Sequence, residues 1–350
     1  MLFPDFYGNE AAKSQLAAAF GSGRVPHALL LDGPEGSGRR TLARIVARAF
    51  VCRSAGERPC GVCSACRKAL AGGHPDIILA QAEGGVRSFS VDTVRRLRLD
   101  AEVAPNEAAC KVYILADIHL MTEQAQNALL KIIEEPPAHV RFLLTCDGRS
   151  RVLETVRSRC VVVPLGPVKD DLVVQALEKA VPGLAPEQAK RASQLAGGLI
   201  GRALQGLEKG SFSAAVALAG RFAGTLCTGS LFDFVGITGE LEKDAALRAA
   251  FLELLPLLLR DALAGQNGIP TRLSGCGEEA GRLARTFTRR ALAGGIQLAL
   301  AARAAAERYA NPRLLMTWLF ASLWQAMRES PRTAREAGEM APFRADGANR

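Results

Sequence analysis

Apolar positions follow two rhythms along this chain, and the change between them divides it. Over the first 165 residues, short apolar runs alternate with stretches of helical spacing. Ala28–Leu31, Asp76–Leu79, Val112–Leu115, Val140–Thr145 and Cys160–Val163 have the length of buried strands. Between the first two, Leu42, Ile45, Val46 and Phe50 fall on one face of a helix over Arg39–Phe50. Ser90 is placed to cap a helix running to about Glu102. Thr122 opens another, carrying Ala128, Leu129, Ile132 and Ile133. It must stop before Pro136–Pro137, because proline lacks the helical N–H and restricts the residue before it. A short helix near Arg151–Val156 precedes the last strand. Such alternation predicts an α/β domain with a parallel sheet and helices on both faces.

Beyond Pro164–Pro167 only the helical rhythm remains. Asp170–Ala180, Pro186–Ala196 and Leu199–Glu208 read as short helices, separated by Pro182–Gly183 and Gly197–Gly198. Longer patterns follow at Leu241–Leu263, Thr286–Tyr309 and Asn311–Arg328. The expected division is an α/β P-loop-type domain over 1–165, a small helical domain over 166–208 and an all-helical domain over 209–330. The tail, 331–350, is rich in Arg, Glu, Pro, Gly and Ala and is expected to be disordered.

Composition sharpens this picture in three ways. Aromatics are 5% of 350 residues against 49% hydrophobic residues, so the cores must be built largely from Ala, Leu and Val. No apolar run reaches the 18 or so residues of a membrane span. The longest, Leu252–Leu259, is broken by Glu253 and Pro256. Met1–Glu10 lacks the basic and apolar regions of a signal peptide, so a cytoplasmic location without membrane partners is expected. The net charge of +9 is a mild hint of a polyanionic partner, equally compatible with an Arg-rich solvated surface.

Three motifs carry chemistry. Gly33-Pro-Glu-Gly36-Ser-Gly38-Arg39-Arg40-Thr41 sits between a strand and a helix, where backbone N–H groups of a P-loop cradle phosphates. The pattern GxxxxGK[ST] keeps Gly33 and Gly38 but meets Arg39 where Lys belongs and Arg40 where Ser or Thr should hold Mg²⁺. Thr41 comes one residue late. The strand Val112–Leu115 should end in two acids that hold the metal, and offers Ala116 and Asp117. The defects predict no hydrolysis at this loop. They leave open weak nucleotide binding through Gly33, Gly36, Gly38, Arg39 and Thr41, or a loop kept only for strand–helix geometry.

Cys52, Cys60, Cys63 and Cys66 are spaced C-x7-C-x2-C-x2-C among turn-forming Gly56, Pro59 and Gly61. In a reducing compartment, four clustered thiols point to a closed structural Zn²⁺ site. The third motif, Ser158-Arg159-Cys160, lies at a strand entrance. There an arginine is either a surface ion-pair residue or a finger reaching a neighbour's phosphate.

Several of these features occur in a set order. Pro26-His27-Ala28, the Gly33–Thr41 loop, the four-cysteine insertion at about 52–66 and His74-Pro75-Asp76 are followed by Asn127-Ala-Leu-Leu-Lys131, Glu134-Glu135-Pro136-Pro137 and Ser158-Arg159-Cys160. Weaker matches are Gly198-Leu-Ile-Gly-Arg-Ala203 and Asn311-Pro-Arg313. In this set the chain resembles the clamp-loader subunits of bacterial DNA polymerase III, within the AAA+ class. The resemblance implies an AAA+ domain, a helical lid and a helical collar that oligomerises. It also implies a hetero-oligomer with gamma/tau and delta subunits that places a sliding clamp on primer-template DNA, and a catalytic role in trans for Arg159 at a neighbour's ATP. Gly201 stands where an active subunit's lid arginine is expected, with Arg202 one position on. An active gamma/tau-like ATPase with a divergent loop is the alternative. A zinc-bearing nucleic-acid-binding module ranks third, because no aromatic platform is interleaved with basic residues.

Overall fold

In chain order the first elements are α1 (Glu10–Gly21), β1 (Ala28–Asp32), α2 (Arg39–Val51), α3 (Ser64–Leu70), β2 (Ile77–Ala80), α4 (Val91–Ala101), β3 (Lys111–Leu115), α5 (Glu123–Glu134), β4 (Val140–Cys146), α6 (Glu154–Arg157) and β5 (Val161–Pro164). The structure is a computed structural model that describes residues 1–80, 91–208, 210–228, 231–269, 274–307 and 310–328. The five strands pair in parallel in the order β2-β3-β4-β1-β5.

Strand side chains alternate between faces, so each strand serves two cores. Leu30, Tyr113, Leu115, Phe142 and Leu144 pack with Val94 and Leu97 of α4 and Leu129, Ile132 and Ile133 of α5. Leu29, Leu31, Val112, Ile114 and Leu143 pack on the other side with Leu16 of α1 and Leu42, Ile45 and Val46 of α2. This two-faced burial is why the strands read as unbroken apolar runs.

Helices make up the rest: α7 (Asp170–Ala180), α8 (Pro186–Ala196), α9 (Ile200–Glu208), α10 (Ser211–Thr228), α11 (Leu231–Lys243), α12 (Ala245–Gly265), α13 (Gly277–Thr286), α14 (Arg289–Glu307) and α15 (Pro312–Arg328). The long pattern from Leu241 to Leu263 is two helices, not one. Asp244 leaves the helical region (φ −109°, ψ 107°), and its carboxylate accepts from Ala246 N at 2.8 Å and Leu247 N at 3.0 Å, capping α12. Ser90 and the tail 331–350 lie outside the described residues.

The chain falls into two compact units. One holds Met1–Leu172 with Leu199–Gly201; the other holds Val173–Gly198 and the chain from Arg202 onward. In the second, the scarce aromatics gather. Phe222, Phe234, Phe251, Phe320 and Trp324 form ring pairs with centroids 5.0–6.2 Å apart. The Ala- and Leu-rich helices close around this knot.

Candidate functional site

The Gly33–Gly38 loop turns at the end of β1 and delivers the chain into α2. Gly36 and Gly38 take φ of 87° and 89°, which side chains with a Cβ rarely adopt. A Cβ on Gly38 would lie 2.9 Å from the Phe6 ring. Gly201 N donates to Gly36 O at 2.9 Å, so main chain lies directly on the loop.

The residues in the lysine and hydroxyl positions turn toward the end of β3. Arg39 is buried, and its Nη2 lies 3.5 Å from Asp117 Oδ1. Arg40, largely exposed, donates from Nη2 to Asp117 Oδ2. Asp117 is placed to receive both because it adopts the left-handed region (φ 56°), and its N–H donates to the buried Thr145 Oγ1 at 2.8 Å. Two guanidinium groups thus surround one carboxylate. A divalent cation there would meet a net positive charge. Ser37 Oγ and Arg39 Nη1 are buried without a protein partner. Thr41 is exposed on the first turn of α2.

The four cysteines come together. Their sulfurs all lie within 4.8 Å of one another, with Cys60 and Cys66 at 3.9 Å. Sulfurs around tetrahedral zinc sit about 3.8 Å apart, given Zn–S bonds of about 2.3 Å. Backbone N–H groups already point at three of the sulfurs. Cys60 N donates to Cys52 Sγ, Cys63 N to Cys60 Sγ and Cys66 N to Cys63 Sγ, each at 3.4 Å. Burial pushes the Cys63 thiol up, but N–H donors from Arg53 and Cys66 outweigh it and bring it down to about 6. Burial, with Cys52 and Cys63 beside it, pushes Cys66 up to about 12. One thiol ionises easily while its neighbour resists. A cation among the sulfurs would relieve that conflict, so the donor set fits a metal ion.

Arg159 follows α6 at the surface. Its Nε pairs with Glu134 Oε1 at 2.7 Å, and its Nη1 donates to Thr155 O at 2.9 Å and Ser158 Oγ at 3.3 Å. His74 and Asp76 are structural. The buried Asp76 carboxylate accepts from Asn106 N, Glu107 N and Ala108 N at 2.6–2.8 Å, and His74 Nδ1 accepts from Asp76 N at 3.1 Å. Burial alone would raise Asp76, but those three donors hold it below the usual carboxylate range.

The family described as DNA polymerase III, delta subunit, matches residues 8–169. The tau subunit of Salmonella typhimurium DNA polymerase III is 36% identical over 160 residues, 45% of this chain. This chain spans 24% of that relative's length, and 27% of gamma/tau from Mycobacterium tuberculosis. The delta' subunit of Escherichia coli DNA polymerase III is different: 32% identical over 268 residues, 76% of each chain. The chain belongs to the DNA polymerase III delta' family. A further delta' subunit, from Yersinia pestis, is 40% identical over 147 residues, 42% of this chain.

The delta' fold is the expected one, an AAA+ α/β domain followed by helices. In this delta' chain Gly33, Gly36, Gly38 and Arg39 gather at one loop, and Cys52, Cys60, Cys63 and Cys66 at one cluster. Sequence reading did not find the pairing of both arginines with Asp117, nor the Glu134–Arg159 pair. No spacing signals either, because each joins residues 25 or more positions apart on different elements. Among the described residues, no helix is long and apolar enough to cross a membrane.

Proposed function

We propose that this delta' chain is a non-hydrolysing subunit of a DNA polymerase III clamp loader. In this reading it assembles with gamma/tau and delta subunits, helps place a sliding clamp on primer-template DNA, and supplies Arg159 to ATP held by a neighbour. Its lid corresponds to about 166–208 and its collar to 209–330. The observation that carries the reading is the state of Asp117. Hydrolysis needs a carboxylate and a hydroxyl free for Mg²⁺. Here Arg40 donates to one carboxylate oxygen and the buried Arg39 stands 3.5 Å from the other, so two cations face the group, and the hydroxyl position is itself one of those arginines. The same observation weighs against the gamma/tau-like ATPase. The buried, unpartnered Ser37 Oγ and Arg39 Nη1 favour a second reading of the loop alone, retention of an anion without turnover.

ATP turnover by the reconstituted assembly, with clamp and primed DNA, tests the trans role. Arg159→Ala should lower turnover by about 10³, the worth of an arginine finger, with assembly intact by sizing. Unchanged turnover would overturn the role.

We also propose structural zinc at Cys52, Cys60, Cys63 and Cys66. Metal analysis of the purified chain should find one zinc, lost in Cys63→Ser together with protease resistance of the 52–66 segment. A metal-free natural chain with that segment intact would refute it.

A further inference from the structure

Glu134-Glu135-Pro136-Pro137 belongs to the ordered set that carries the family resemblance, and its prolines do more than end a helix. The two prolines end α5, and Glu135 leaves the helix at φ −126°, ψ 65°. Glu134 is therefore the last residue of α5, at a fixed place beside the segment that bears Arg159. Its Oε1 takes Arg159 Nε at 2.7 Å. Thr155 O and Ser158 Oγ take Nη1. Nη2 makes none of these bonds.

The same helix grips the same segment again, two turns earlier. Buried Gln126 accepts from Leu153 N at 2.9 Å and donates to Met121 O at 3.4 Å. Leu153 immediately precedes α6. Between these two holds Val156, and just before the first of them Val152, are buried in the core that contains Leu129 of α5. The run from Leu153 to Arg159 is thus tied to α5 at both ends by directional polar bonds and seated on apolar contacts in between.

We propose that Glu134 is a positioning residue for Arg159. It fixes the Nε side of the guanidinium and leaves Nη2 to meet a phosphate carried by a neighbouring subunit. The proposal rests on the trans role of Arg159. The pair is poorly placed to stabilise the fold, because Glu134 and Arg159 side chains are 42% and 39% exposed and exposed ion pairs contribute little. What Glu134 does is remove rotameric freedom from a long side chain whose value depends on orientation.

The test uses the reconstituted loader with clamp and primed DNA. Glu134→Ala should lower kcat for ATP about tenfold, a scale set by small misplacements of catalytic groups. KM for ATP, assembly by sizing and the melting temperature should stay unchanged, and Glu134→Asp should recover part of the rate. Added to Arg159→Ala, Glu134→Ala should cause no further loss. A full rate in Glu134→Ala, with Arg159→Ala still crippled, would overturn the proposal while sparing the role of Arg159. An equal additional loss in the Arg159→Ala background would also overturn it. Full turnover by Arg159→Ala itself would overturn both.

Discussion

Arginine is used in opposite ways at two ends of the same α/β unit. At the loop, Arg39 and Arg40 turn onto Asp117, whose carboxylate becomes their shared counter-ion. After α6, Arg159 stays at the surface with one side of its guanidinium on Glu134 and Nη2 outside that network. The difference is burial and the number of partners. A carboxylate shared by two cations, one of them buried, is committed to the interior. A carboxylate that meets one exposed cation orients it and leaves it available. The side chain alone therefore does not decide whether an arginine is built into the interior or held at the surface.

The sharpest way to break this comparison is to remove one arginine from each place. Arg159→Ala should cost the reconstituted loader about 10³ in turnover. Arg40→Ala should leave turnover within twofold, since Asp117 keeps Arg39. Equal losses would erase the distinction. Next in size is Asp117→Asn, which keeps the shape but strands the buried Arg39 charge. Breaking a buried pair in this way costs about 3 kcal/mol, and denaturant unfolding should read that loss. Glu134→Gln should cost less than about 1 kcal/mol in the same assay.

A third carboxylate, Asp76, is answered by backbone N–H groups rather than by arginine, and its effect is read along the pH axis. Its native pKa is depressed, so its contribution is fully present above its unfolded value of about 3.9 and is lost as the pH falls through the native value. Acid unfolding of the natural chain should show this loss below about pH 4. Asp76→Asn, less stable at neutral pH, should lack that part of the pH dependence.

Much of the α/β unit was legible in the sequence. Strands buried on both faces have no polar interruption, so Ala28–Leu31 and Val112–Leu115 were read to within one residue. The Thr122 start and the Pro136–Pro137 stop of α5 were equally plain, because capping and proline act locally. The helices that escaped notice are α1 and α3, while α10, α11 and α13 fall in the region read as all-helical without bounds of their own. In α1, the run Ala17-Ala-Ala19 blurs any apolar stripe. Around Asp244, a cap sits inside what otherwise reads as one pattern. At the site, the loop and the cysteines were visible as motifs. The meeting of Arg39 and Arg40 with Asp117 was not, because it depends on the left-handed backbone at Asp117 and on the parallel register that sets β3 two strands from β1.

The contact between Gly201 and Gly36 bears on whether this loop could regain what it lacks. A Cβ on Gly201 would lie 2.9 Å from Gly36 Cα and 3.1 Å from Gly36 O, both main chain. Lysine, threonine and an acid could return at positions 39, 40 and 116 by single substitutions without meeting that obstacle. An arginine at 201 cannot, because the backbone it would displace is the loop itself. The loop main chain must therefore move before any side chain can occupy position 201. On the proposed non-hydrolysing reading, the harder barrier to placing an active loop here is a glycine, not the charged residues at 39 and 40.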